Sequence, residues 1–270
     1  MNILIFVTVF LLGTIIGSFL NVVIFRFNTS RSISKGRSIC MTCSKTLRWY
    51  ELIPVISWLF QLGRCRGCAT KISHQYPLVE VITGVIFLLL SIRLFPTLAI
   101  SSNTFIFLLS FYAMIFCLLI VLAVYDIRHK IVPDTLVYTF AGLALFSTFV
   151  MITNTGIGFH IPSLNVLAIG PLLAVPFALI WLLSKGRLMG LGDAKIILGI
   201  GWLFGLSKGI AVLVVAFWIG AIVSILVLLL SHLKINMKTE IPFAPFLILG
   251  ILVVLLTGID IFSLAQLFSF

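Results

Sequence analysis

Eight apolar runs limit what this chain can fold into. They lie at 3–25, 77–95, 104–125, 135–152, 164–184, 196–207, 209–231 and 243–266 of the 270 residues. A membrane-crossing helix needs about 20 consecutive apolar residues. Most of the runs approach that length, and 196–207 is the short one. Charged residues make up 9% of the chain, against about a quarter in a soluble domain. The expected fold is therefore an all-α polytopic membrane protein of about eight transmembrane helices. The first run has no basic segment before it and no A-x-A site after it, so it reads as a span rather than a cleaved signal peptide.

Basic residues orient the spans, because loops rich in Lys and Arg stay on the cytoplasmic side. With the N-terminus outside, the inner segments are 26–76, 126–134, 185–195 and 232–242. They hold nine, two, three and two Lys/Arg, which is 16 of the 18. Only Arg93 and Lys208 fall outside. The net charge of +11 then follows from topology and implies no nucleic-acid partner. The partner implied by composition is the lipid bilayer.

Three regions follow. Residues 1–25 form the first span, 26–76 an inner loop, and 77–270 the remaining membrane domain. The inner loop carries "CMTC" at Cys40–Cys43 and "CRGC" at Cys65–Cys68, with 21 residues between the pairs. Two C-x-x-C knuckles resemble a zinc ribbon, in which four thiolates suit one tetrahedral zinc. Four thiolates leave no open coordination position, so the metal would be structural. Paired disulfides are the alternative, disfavoured in a reducing cytoplasm. Cys117 lies mid-span and reads as a small core hydrophobe.

An acid near a membrane span is a functional candidate, and the chain has only seven: Glu51, Glu80, Asp126, Asp134, Asp193, Glu240 and Asp260. Asp126 lies where the third run leaves the membrane, in "VYDIRHKIVPD", and Asp193 where the sixth begins, in "MGLGDAKIIL". The topology puts both at the inner boundary. Two such carboxylates on converging helices can share one proton, one activating water while the other protonates a carbonyl or leaving amine. Each acid also has a plainer reading. Asp134, after Pro133, reads as an N-cap of the fourth span. Asp193 could cap a helix or pair with Lys195, and Asp126 could pair with Arg128 or Lys130. Gly190 and Gly192 favour the functional reading of Asp193, since they permit close backbone approach and unusual dihedrals. Gly201 and Gly205 form a small-xxx-small face on the next helix. His129 reads as a solvated loop histidine.

These residues resemble the type IV prepilin leader peptidases, membrane aspartic proteases of the G-x-G-D type. "GLGDAK" (190–195) is similar to their G-x-G-D-x-K motif, and "YDIRHKIVPD" (125–134) to their first catalytic aspartate segment. "GSFLNVVIFR" (17–26), "RSICMTC" (37–43), "IPVISWL" (53–59), "GRCRGC" (63–68), "ISHQYPLVE" (72–80) and "IPFAPFL" (241–247) occur in the family's order. The sequence departs from the family at "RFN" (26–28), at His74 in place of an arginine, and at Ala244 in place of a glycine.

The resemblance implies a bifunctional enzyme of the bacterial cytoplasmic (inner) membrane with its active site facing the cytoplasm. Asp126 and Asp193 would cut a short basic leader from prepilins and pseudopilins, after a glycine and before the hydrophobic helix. The new N-terminal amine would then be methylated from S-adenosylmethionine. No motif locates the methyl-donor site; Glu80, about one turn into the second span, is a candidate polar group near it, with a helix-packing or interfacial role as the equal alternative. The alternatives are a peptidase-only G-x-G-D protease and a carrier using the two aspartates to bind a proton or cation. Internal repeats, common in carriers, are not evident.

Overall fold

The computed structural model describes residues 2–29, 32–33, 36–153, 156–230 and 242–266. The inner segment expected at 232–242, with Lys234, Lys238 and Glu240, lies almost wholly outside them. The chain divides into two compact units, Met1–Val121 and Leu122–Phe270.

In the first unit, α1 (Asn2–Arg26) packs along α3 (Gln75–Leu94). Small residues allow this. A Cβ on Gly13 would stand 2.8 Å from the Gly84 Cα, and one on Gly17 would stand 2.8 Å from the Glu80 Cα. Close backbone approach is how helices gain packing where lipid removes the hydrophobic drive between them. Between α1 and α3 lie the cysteine knuckles, a 3-10 turn at Trp49–Leu52 and the short α2 (Ile56–Phe60). A 3-10 turn (Phe95–Ala99) leads from α3 into α4 (Ser102–His129), which carries the chain into the second unit.

The second unit contains the end of α4, α5 (Asp134–Ser147), a two-stranded hairpin of β1 (Val150–Thr153) and β2 (Gly156–Phe159), α6 (Leu164–Ser184), α7 (Leu191–Leu230), α8 (Ala244–Thr257) and α9 (Ile261–Gln266). Its core includes Phe140, Ile196, Ile197, Ile200, Leu247 and Ile251. Many apolar side chains instead face outward, among them Leu183, Leu228 and Leu229. That inversion is expected of a surface solvated by lipid.

Among the described residues, five helices are long and apolar enough to cross a membrane: those at Ile3–Arg26, Gln75–Ala99, Ser102–His129, Leu164–Ser184 and Leu191–Leu230. α5 and α8 are apolar but 14 residues each. The runs at 196–207 and 209–231 join in the 40-residue α7, which breaks at Gly205 with φ 74°. A Cβ on Gly205 would meet no atom within 4 Å. Gly205 is therefore a joint and not half of a small-xxx-small packing face. Gly201 does pack closely, a Cβ there falling 2.7 Å from the Gly170 Cα on α6.

Two further expectations are corrected. The run at 135–152 stops as a helix at Ser147, and its end enters β1, which pairs antiparallel with β2. Residues 150–153 are mostly β-branched, which favours strand over helix. The final run, 243–266, divides at Gly258, whose φ of 75° ends α8.

Candidate active site and cysteine cluster

Asp126 lies in the last turn of α4. The helix closes just beyond it, where Lys130 takes φ 53° and donates its backbone N–H to the Asp126 carbonyl at 2.7 Å. This left-handed closure turns the chain into the 131–133 connection and on to α5. Asp193 lies in the first turn of α7. A Cβ on Gly192 would fall 2.5 Å from Val132 Cβ. Only glycine lets the start of α7 sit this close to the segment that follows Asp126. Neither Gly190 nor Gly192 takes a positive φ, so approach, and not dihedral freedom, is what the motif glycine provides.

Asp126 is 5% exposed and Asp193 8%. The two carboxylates lie within electrostatic reach of each other. Among the described residues, neither has a Lys or Arg nitrogen within 4 Å. An isolated buried charge is expensive, so a shared proton is the low-cost way for such a pair to coexist. The backbone N–H of Ala244 hydrogen-bonds the Asp126 carboxyl. Ala244 opens α8, where backbone N–H groups lack helical partners. The sequence marked Ala244 only as a departure from the family, because a main-chain donor leaves no signature in residue type.

The neighbouring polar groups are arranged differently from expectation. Lys195 pairs with Asp134, Nζ to Oδ1 at 2.6 Å, and not with Asp193. Its ammonium also stands 5.0 Å from the centre of the Tyr138 ring. Pro133 holds the N-cap position of α5, and Asp134 is the first helical residue with no capping hydrogen bond. The chain prefers an ion pair there, because α7 begins beside α5. His129 is exposed, its ring centre 4.5 Å from that of Tyr125.

In the first unit, the sulfurs of Cys40, Cys43, Cys65 and Cys68 all lie within 4.8 Å of one another. Two knuckles of the same build supply them, offset by 25 residues. Ser44 N–H donates to Cys40 O and Ala69 N–H to Cys65 O, at 2.9 and 2.8 Å. Cys40 N–H donates to Lys45 O and Cys65 N–H to Thr70 O, both at 2.9 Å. Ser44 and Ala69 take φ values of 56° and 55°. The Cys40 and Cys68 sulfurs are 3.8 Å apart. A sulfur tetrahedron around zinc, with bonds of about 2.3 Å, has an edge of about 3.8 Å. The donor set fits a soft tetrahedral cation, and none of the five cysteines is in a disulfide.

Ionisation is divided among these thiols. The Thr70 hydroxyl, 3.3 Å from Cys68 Sγ, and then the Thr70 backbone N–H lower the Cys68 thiol to about 6. The Lys45 backbone N–H lowers Cys43, yet the Cys40 sulfur and burial together push Cys43 up to about 11. Crowded sulfurs without a cation resist further ionisation, and a bound dication reverses that preference.

Glu80, on α3, is buried and accepts the Val55 N–H at 2.7 Å, with Ser18 as a second partner. Asn21 donates to Tyr76 O at 3.1 Å. The "GSFLN" signature thus joins α1 to α3, and Glu80 joins α3 to the "IPVISWL" segment.

Comparison with known proteins agrees with this arrangement. Residues 11–94 match the model of the bacterial peptidase A24 N-terminal domain, and residues 113–225 match that of the type IV leader peptidase family. The chain is 31% identical over 289 residues to a prepilin leader peptidase/N-methyltransferase of Aeromonas salmonicida, covering 94% of this chain and 91% of the relative. It is 30% identical over 260 residues to one of Bacillus subtilis, covering 94% and 95%. A Myxococcus xanthus relative of the same name is 35% identical over 232 residues, covering 83% of this chain and 63% of the relative. No solved structure matches. The paired motifs, the cysteine knuckles and the match along nearly the whole length lead to one conclusion: the chain belongs to the type IV leader peptidase family.

Proposed function

We propose that this chain is a bifunctional prepilin leader peptidase and N-methyltransferase in which Asp126 and Asp193 carry the proteolytic step. The observation that carries the assignment is the pair itself: two carboxylates, each under a tenth exposed and within electrostatic reach of each other, with no Lys or Arg nitrogen within 4 Å of either among the described residues. The ionised member takes a proton from water as the water oxygen bonds to the scissile carbonyl carbon. The neutral member gives its proton to the carbonyl oxygen. Collapse of that adduct breaks the carbon–nitrogen bond, and the leaving amine takes up a proton. The Ala244 N–H orients the Asp126 carboxylate.

The substrates are prepilins and pseudopilins. The exposed amine is the acceptor for a methyl group from S-adenosylmethionine, with loss of one proton from nitrogen. The four cysteines hold one structural zinc, which closes the 26–76 loop without entering the chemistry. Eight crossings, with the two limbs of α7 counted separately and α5 and α8 included, together with the Lys/Arg bias of the inner segments, put the N-terminus outside. The 26–76 loop and both aspartates then face the cytoplasm from the inner membrane, and residues 77–270 form the peptidase region.

The purified full chain, incubated with a prepilin, tests this reading by product mass. Cleavage without donor and an added methyl group with donor are expected. Cleavage that persists in Asp126→Asn or Asp193→Asn overturns the assignment of that residue.

A further inference from the structure

The cysteine loop turns its largest apolar side chains outward. Phe60 is 79% and Leu62 85% exposed, and Trp49, Leu52, Ile56 and Leu59 are exposed as well. Ile56, Leu59 and Phe60 recur at the spacing that marks one helix face. The loop does not fold over them, and its own buried positions include Glu51, Gly63 and Cys65. An apolar patch of this kind on a polar module marks an interaction surface.

The structure also fixes where this face sits along the membrane helix. The Val55 N–H, at the entry to α2, donates to Glu80 Oε2 at 2.7 Å. Glu80 lies in the second turn of α3, about 7.5 Å along the axis from Gln75. The span Gln75–Ala99 has 25 residues. That makes it about 37 Å long, more than the roughly 30 Å of hydrocarbon it crosses. Its first turns therefore run through the headgroup layer, and Glu80 holds Val55 at the depth where α3 meets the acyl chains. Arg48, Arg64, Arg66 and Lys71 are exposed on the same loop. The one acid of residues 26–76 is Glu51, and Lys45 engages it at 3.5 Å.

We propose that residues 49–62 form an interfacial wedge. Ile56, Leu59, Phe60 and Leu62 enter the acyl boundary of one leaflet, and Arg48, Arg64, Arg66 and Lys71 bind anionic lipid headgroups. The inference rests on α1 and α3 being membrane spans. Lipid is the fitting occupant because the surface joins an apolar face to a cationic rim, as interfacial helices do. The same cations would repel a basic leader peptide.

Photocrosslinking of the full chain in vesicles of equal parts phosphatidylcholine and phosphatidylglycerol tests this. Benzoylphenylalanine is placed singly at Phe60, at Met41 on the first knuckle, and at Val81 on the exposed side of α3. Lipid adducts at position 60 are expected to match those at 81 and to exceed those at 41 several-fold. Phosphatidylglycerol should be over-represented at 60 relative to 81, and Arg64→Glu with Arg66→Glu should remove that excess. A yield at 60 no higher than at 41, with 81 still labelled, overturns the wedge. So does replacement of the lipid adduct at 60 by a prepilin adduct when substrate is added. Loss of lipid labelling at 81 overturns the span reading itself and the wedge with it.

Discussion

The Lys195 ammonium sits 2.6 Å from Asp134 Oδ1, while Asp193, two residues before it in the motif, makes no ion pair among the described residues. The cation of the G-x-G-D-x-K motif therefore ties the start of α7 to the start of α5 and leaves the acidic pair uncompensated. Asp134 is mostly exposed, so the pair is worth about 0.2–1 kcal/mol. A double-mutant cycle with Asp134→Ala and Lys195→Ala, read by thermal unfolding, is expected to give a coupling in that range. Asp134→Asn should slow cleavage far less than Asp126→Asn or Asp193→Asn.

In the proposed mechanism each buried aspartate must accept or donate a proton, and asparagine can do neither. Loss of general acid–base function costs about 10²–10⁴-fold in rate. Prepilin cleavage followed by mass should fall by at least that much, with membrane insertion unchanged. Since the proposed mechanism needs one carboxyl ionised and the other neutral, the wild-type rate should decline on both the acidic and alkaline sides, with apparent constants that belong to the pair.

Gly192→Ala places a methyl against Val132, whose Cβ stands 2.5 Å from the new carbon. The start of α7 must then shift away from the segment after Asp126. Cleavage should drop sharply in Gly192→Ala and recover in part when Val132→Ala is added. Equal activity of the single variant and the wild type would show that the contact does not position Asp193.

Elemental analysis of the purified chain should find about one zinc per molecule, the stoichiometry of a four-cysteinate site. Cys40→Ser should lower zinc content and open the loop to protease, with methylation suffering at least as much as cleavage. Chelator should not stop cleavage acutely, since the acidic pair uses no metal.

Glu51 gives the loop an acid-sensitive element. The Arg48 backbone N–H, at 2.8 Å, and then the Lys45 ammonium hold its carboxyl below the usual carboxylate range. A depressed carboxyl stabilises the fold above its unfolded value, about 4.3 for glutamate, and that contribution disappears as pH falls through the lower folded value. Protease sensitivity of the loop should rise on acidification from that point, and Glu51→Gln should flatten this part of the profile.

The membrane class, the clustering of the four cysteines and the approach of Asp126 to Asp193 were legible in the sequence because each depends on residue type and its place relative to the apolar runs. Cys40, Cys43, Cys65 and Cys68 converge because two short knuckles each present two sulfurs. Asp126 and Asp193 converge because both lie at helix ends on one side. What was illegible depends on neighbours distant in the chain. The partner of Lys195 is set by how α5 and α7 pack, so sequence proximity pointed wrongly to Asp193. The Ala244 N–H is a main-chain group, invisible to side-chain patterns. The start of β1 is apolar enough to extend the run at 135–152, and its β-branched residues decide otherwise. Gly205 looked like a packing residue because small-xxx-small spacing does not distinguish a contact from a bend.

The break at Gly205 makes the limb that carries Asp193 short. Residues 191–204 rise about 21 Å, and α5, with 14 residues, rises about the same. If each crosses the membrane separately, as the eight-crossing reading has it, lipid chains around them must compress, because neither spans about 30 Å of hydrocarbon. On the eight-crossing reading proposed above, the bilayer over this part of the protein would form a dimple, bringing water closer to the two carboxylates than their place in an apolar chain suggests. A protease acting beside a substrate's hydrophobic helix needs that access, and a single bent glycine supplies it.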